Sequence, residues 1–242
     1  MVLRRLFPLL LICALLAASL PALGEGQPGT ADFYDGAVFV GDSILQQLGR
    51  YALICQSEGR PLLGEARFLT AASYTIYLGS RQNAYPDEVA LKYRGIPVSL
   101  HEGLKTMEAS RAFVLLGLND NAGTQLEKEM GFYSRLIQRA MDSNPGLDLI
   151  ILSMTPVVKT AQTEGLNQAN LDRFNLRLQS LCGELGVAFL DVAAALKDEE
   201  GFLNRDYSSD KYVHLNPLGL EVLAGAVNDY ARERMGAKGG SL

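Results

Sequence analysis

Three short stretches hold side chains that together can break an ester bond: Gly41-Asp42-Ser43, Gly117-Leu118-Asn119-Asp120, and Tyr207 to Pro217 with Asp210 and His214. A serine hydroxyl is a weak nucleophile until a base takes its proton. Ser43 therefore needs a histidine, and the chain has two, His101 and His214. His101 lies in Ser99-Leu100-His101-Glu102-Gly103-Leu104, a polar helical stretch, and is expected at the surface. His214 lies in a turn-rich segment before the last helix, where a loop can bring a base back to the ends of strands. Asp210, four residues earlier, has the reach to hold the other ring nitrogen and fix the tautomer. The Asn119 amide is a neutral donor suited to the oxyanion that forms when a serine attacks a carbonyl. Each motif also has a plain structural reading: Asp and Ser cap helices, and Gly, Asn and Asp favour turns. Their placement decides how much weight they carry.

Five apolar, β-branched runs supply that placement. The first is Ala37 to Val40, bounded by Gly36 and Gly41; the others are Ala66 to Ala71, Ala112 to Gly117, Leu147 to Met154, and Val187 to Val192. Between and after them lie stretches with helical spacing, at about Ile44–Ser57, Val98–Glu108, Gln125–Ser143, Asn167–Leu185 and Pro217–Arg234. Alternating strand and helix predicts a parallel sheet with helices on both faces. Gly41 then makes the exit turn, Asp42 or Ser43 caps the first helix, and Ser43 sits at the carboxyl end of the first strand, where open α/β sheets place their chemistry. Gly117-Leu118-Asn119 ends the third strand in the same way. The connection from Ala72 to Ser110 is the least regular part and holds Tyr74, Tyr77, Tyr85, Pro86, Tyr93 and Pro97. It reads either as a lid or substrate wall, or as a loop with one helix packed on the sheet.

The amino terminus carries Arg4 and Arg5 ahead of an apolar run from Leu6 to Leu20, then Ala22-Leu23-Gly24. This has the form of a secretory signal peptide over residues 1–24, leaving a mature domain of residues 25–242. Cys13 would leave with the peptide. The full chain has a formal charge of −5; removing two arginines leaves 20 basic and 27 acidic side chains, or −7. An acidic domain is a poor partner for nucleic acid. No further run is long enough to span a bilayer, so no integral membrane segment is expected after cleavage and the product is expected to be secreted or at the cell surface. Cys55 and Cys182 fit no zinc site, and whether they pair or remain buried thiols is open.

Across essentially the whole mature chain, these blocks resemble the SGNH hydrolases, also called GDSL-type esterases and lipases. Gly41-Asp42-Ser43 is similar to the family's nucleophile block, Gly117-Leu118-Asn119-Asp120 to its Gly-x-Asn-Asp block, and His214-Leu215-Asn216 to its final histidine block. The resemblance implies a flavodoxin-like three-layer α/β/α sandwich with a five-stranded parallel sheet. It also implies an oxyanion hole made by Asn119 and the backbone N–H groups of Ser43 and of the residue aligned with the family's second block. That block normally offers a glycine, and Ser73 stands there in this chain. The family's usual Asp-x-x-His is lengthened here to Asp210-Lys211-Tyr212-Val213-His214. Either the loop bulges by one residue and Asp210 still serves His214, or Ser43 and His214 work as a dyad oriented by a backbone carbonyl. The expected activity is hydrolysis of carboxylic esters without metal or organic cofactor. By analogy the first substrates are O-acetyl groups on extracellular or cell-wall polysaccharide, and short-chain lipids or other small esters come second. The competing expectation is a non-catalytic carbohydrate-binding or cell-surface module on the same fold.

Overall fold

A computed structural model of the chain describes residues 30–84, 89–120 and 125–239. The leader read at residues 1–24 lies outside these, as do Tyr85 and Pro86. Five of the described strands form one parallel sheet: β1 (Ala37–Gly41), β2 (Arg67–Thr70), β3 (Arg111–Leu115), β4 (Asp148–Leu152) and β5 (Ala188–Leu190). Their order across the sheet is β2-β1-β3-β4-β5. The expected doubly wound α/β sandwich is what the chain forms.

Side chains alternate between the two faces because a strand has a period of two. Val38 and Val40 of β1, Ala112 and Val114 of β3, and Leu149 and Ile151 of β4 belong to one core layer. Helices α2 (Leu100–Thr106), α3 (Leu126–Ser143) and α4 (Gln168–Leu185) cover it. Phe39, Phe113, Leu115, Ile150 and Leu152 face the other way, under α1 (Ser43–Ser57) and α5 (Pro217–Gly239). On that face Phe39 is in register with Phe68 and Phe113, and the three rings stack at 5.2 and 4.5 Å. Cys55 belongs to the α1 layer and Cys182 to the α4 layer, so the sheet stands between them; both are buried free thiols.

Several elements differ from the sequence reading. Four of the five strands are shorter than the apolar runs, because the end of each of those runs turns out of the sheet to enter a loop, whereas β1 runs one residue beyond its apolar stretch, to Gly41. A four-residue helix (Ile76–Gly79) and a small antiparallel hairpin (Lys92–Tyr93 with Ile96–Pro97) occupy the irregular connection; both are too short to leave a periodic signature. Tyr74 there is buried in the core, whereas Tyr77 is exposed. His101, expected at the surface, is instead 4% exposed. It sits on α2, which packs against α3, and Asn144 at the end of α3 donates to the His101 carbonyl at 3.2 Å. Burial lowers its pKa, so this ring is held neutral inside the α2–α3 contact.

From β1 the chain passes through α1 to β2 on one side, and β3 then lies on the other. Such a reversal opens a crevice at the carboxyl ends of the strands. Ser43 follows β1 and Asn119 follows β3, so both stand at this switch point.

Candidate active site

Gly41 lets β1 turn sharply into α1. A Cβ there would come within 2.5 Å of the Leu115 carbonyl oxygen and 2.8 Å of Leu45 Cδ1, so only glycine allows β1 and β3 to approach this closely. Asp42 then caps α1, its Oδ1 accepting from the Ile44 N–H at 3.0 Å. Ser43 is the first helical residue, half-buried at the helix mouth. Its Oγ lies 3.0 Å from His214 Nε2, and His214 Nδ1 lies 2.6 Å from Asp210 Oδ2.

The loop carrying His214 is held from three directions. Asp210 Oδ1 accepts from the N–H groups of Tyr212, Val213 and His214 at 2.8, 3.1 and 3.2 Å. Lys211 adopts a left-handed conformation with φ +59°, which takes up the extra residue as a bulge. Of the two arrangements open in the sequence, the structure contains the one in which Asp210 reaches the imidazole. Asn216 caps α5 through Gly219 N–H at 3.0 Å, with Pro217 at the first helical position. Gln47, one turn beyond Ser43 on α1, accepts from the Leu215 N–H at 3.3 Å and so ties the histidine loop to the serine helix. Burial pushes the Asp210 carboxyl up, but the hydrogen bonds from His214 and the backbone outweigh it and hold the group below its ordinary pKa. With the carboxylate on Nδ1, the ring presents Nε2 to Ser43 as an acceptor.

The oxyanion candidates gather around the same corner. Ala71 N–H donates to the Gly41 carbonyl at 3.1 Å, bringing the loop after β2 beside the end of β1. Ser73 in that loop is exposed and left-handed, with φ +59°. A glycine is favoured in that conformation, and Ser73 takes it up without one. Asn119 Nδ2 donates to Asp42 Oδ2 at 3.0 Å, with the Tyr74 carbonyl at 3.4 Å. Gly117, at φ +133°, makes the turn out of β3; a Cβ there would overlap the Met154 sulfur. Asp120 Oδ2 accepts from the Ile76 N–H at 2.9 Å and anchors the short helix after Ser73. Among the described residues, no hydrogen bond joins Ser73 to Ser43, Asn119 or His214.

Three positioning contacts thus went unassigned in the sequence: Asp42 to the Asn119 amide, beyond its expected cap, Gln47 to the histidine loop and Asp120 to Ile76. Asp42 is fully buried, and burial pushes its carboxyl up to about 6 against the pull of the Ile44 N–H and His214. Asp120 is likewise raised to about 6 by burial. The signal for the two acids was adjacency, since Asp42 neighbours Ser43 and Asp120 neighbours Asn119, but sequence does not reveal which acid bonds to what. Among the described residues, no group of three or more His, Cys, Asp and Glu side chains is placed to hold a metal ion.

A hydrogen-bonded Ser–His–Asp line at the carboxyl edge of a doubly wound parallel sheet has the layout of a serine hydrolase. Residues 39–222 match the GDSL-like Lipase/Acylhydrolase family, and the chain belongs to it. It is a carboxylic ester hydrolase by class. No curated protein matches the sequence. Among solved structures, a GDSL-like lipase from Bacteroides thetaiotaomicron is similar at 15% identity, with 82% of this chain and 88% of that one covered and a TM-score of 0.59. An acetyl xylan esterase is similar at 16% identity (80% and 98% covered, TM-score 0.56). An acetyl esterase mutant with acetate ion is similar at 17% identity (83% and 98% covered, TM-score 0.56). At these identities the likeness concerns the fold.

Proposed function

We propose that this protein is an exported serine esterase that removes O-acetyl groups from extracellular or cell-wall polysaccharide. The observation that carries the chemistry is the continuous line from Ser43 Oγ through His214 to Asp210, at 3.0 and 2.6 Å. His214 Nε2 takes the Ser43 proton and the resulting alkoxide attacks the ester carbonyl carbon. The Asn119 Nδ2 hydrogen that rests 3.4 Å from the Tyr74 carbonyl turns to the substrate carbonyl oxygen and, with the backbone N–H groups of Ser43 and Ser73, receives its negative charge. On collapse, the imidazolium gives its proton to the departing alcohol, leaving an acyl-serine. A water deprotonated by His214 then releases the acid and restores Ser43. Asp210 keeps the imidazole oriented and stabilises its charged form.

The acetylated-glycan assignment draws on the names of the acetyl xylan esterase and acetyl esterase of similar fold, and on the leader read at residues 1–24. Hydrolysis of p-nitrophenyl acetate by the chain from Glu25 onward tests the esterase reading, run beside Ser43→Ala and His214→Ala. Turnover by the wild type alone supports it. A wild type no faster than Ser43→Ala, on this ester and on acetylated xylan alike, overturns it. The mass of protein recovered from the medium of an expressing culture tests export, since cleavage near Gly24 gives a chain beginning at about Glu25.

A further inference from the structure

Beside Asn119 the surface sinks into a cleft of about 260 Å3. Tyr77 and Phe132 form its aromatic wall, their rings edge to face at 5.2 Å and 64°. Tyr77 is 45% exposed, yet it is held: Arg81 donates to its hydroxyl at 3.0 Å while Phe132 braces the ring. A pre-oriented tyrosine offers a broad contact face at small entropic cost. Thr75, Gln125 and Lys128 add hydrogen-bonding groups to its lining. Gln125 Oε1 accepts from Lys128 Nζ at 2.9 Å, and the Gln125 Nε2 hydrogens and the remaining ammonium hydrogens can donate to a ligand.

Three features narrow the occupant. The volume falls below the roughly 300–1,000 Å3 of sites for drug-sized ligands, so it suits one ring. The polar lining disfavours an alkyl chain, which would strip water from these groups without replacing their hydrogen bonds. Asp120 and Glu129 also line the cleft, and their carboxylates disfavour an anion. A neutral pyranose meets all three conditions, with its C–H face against the electron-rich ring and its hydroxyls toward the polar side chains.

We infer that this cleft is a sugar subsite that binds the pyranose bearing the ester, with Tyr77 as platform and Lys128, Gln125 and Thr75 reading its hydroxyls. This rests on the esterase reading and names the alcohol half of its substrate. The test compares kcat/KM for acetylated xylobiose with that for vinyl acetate in the wild type, Tyr77→Ala and Lys128→Ala. The preference for the sugar ester is expected to fall about tenfold in Tyr77→Ala, mostly through KM, and by a smaller factor in Lys128→Ala. Binding of unacetylated xylobiose to the Ser43→Ala protein, followed by saturation-transfer NMR, is expected and should be lost when Tyr77→Ala is added. An unchanged preference in both variants, together with no xylobiose signal, overturns the subsite while hydrolysis of vinyl acetate leaves the esterase reading standing. If a fluorophosphonate fails to label Ser43 and neither ester is hydrolysed, the esterase reading fails, and the xylobiose experiment alone decides the cleft.

Discussion

The corner at Gly41–Ser43 and the loop from Asp210 to His214 each hold a carboxylate next to the reacting groups, and they treat it in opposite ways. Asp42 is fully buried, with one backbone N–H and the Asn119 amide as donors, and burial wins: its carboxyl rises to about 6. Asp210 is half-exposed with three backbone N–H groups on one oxygen and His214 on the other, and the donors win. Depth and donors thus act in the same direction at both places: the deeper carboxyl with fewer N–H donors is raised, and the shallower one with more donors and the imidazole beside it is lowered. The loop fixes a permanent negative charge behind the imidazole. The corner holds an acid whose charge is costly, in return for a fixed Asn119 amide.

The largest test of this contrast lies at the groups that both regions serve. Ser43→Ala and His214→Ala should each lower kcat for p-nitrophenyl acetate by at least about 10^3-fold, and the double variant little further, because the pair acts as a unit. Next comes Asp210→Asn, which keeps the shape but presents the wrong hydrogen-bonding pattern to Nδ1; a fall in kcat of up to about 10^4-fold is expected. A loss under tenfold would mean that the bulged loop orients His214 without its carboxylate. Asp42→Asn should then cost about 10^2-fold in kcat with little change in KM, as its new amide faces that of Asn119 and displaces an oxyanion donor.

Stability against pH separates the two acids further. Asp42 binds its proton more tightly folded than unfolded, so its contribution is most favourable below about 4 and declines as pH rises through about 6. Ionising a carboxyl moved from 3.8 to about 6 costs about 3 kcal/mol. In urea titrations, the stability of Asp42→Asn relative to wild type should therefore improve by about that amount between pH 4 and pH 7. Asp210, held low, works in the reverse sense: its contribution is present above the ordinary carboxylate pKa and is lost as pH falls through its lowered value. An Asp210→Asn protein whose relative stability followed the Asp42 pattern would break the comparison. The smallest effect is expected at Ser73→Gly, which should stabilise the fold by about 1 kcal/mol by relieving its left-handed φ, with activity retained. Loss of activity there would assign the Ser73 side chain a part that the oxyanion reading does not give it.

Ser43, Asn119 and His214 stood out in the sequence because their blocks fall at strand ends or before the last helix, and strand ends can be read from apolar runs. The sheet itself was legible for the same reason: a strand covered on both faces must be apolar throughout. Asp210 was visible but ambiguous, since spacing along a chain does not say whether a loop absorbs one more residue. Lys211 answers that with a single backbone torsion, φ +59°. His101 was misplaced because its own helix is polar, and only the packing of α3 against α2 buries it. The roles of Asp42 and Gln47, and the cleft between Tyr77 and Phe132, depend on partners 55 to 168 positions away or on elements too short to show a period. What the sequence determined by itself was the layered sheet and the residue types at its carboxyl edge, because periodicity and turn chemistry are local. What the tertiary structure alone decided was that Asp42 is buried against the Asn119 amide, that His214 meets Ser43 and that a cleft opens beside Asn119, because those depend on distances between groups that the chain leaves far apart.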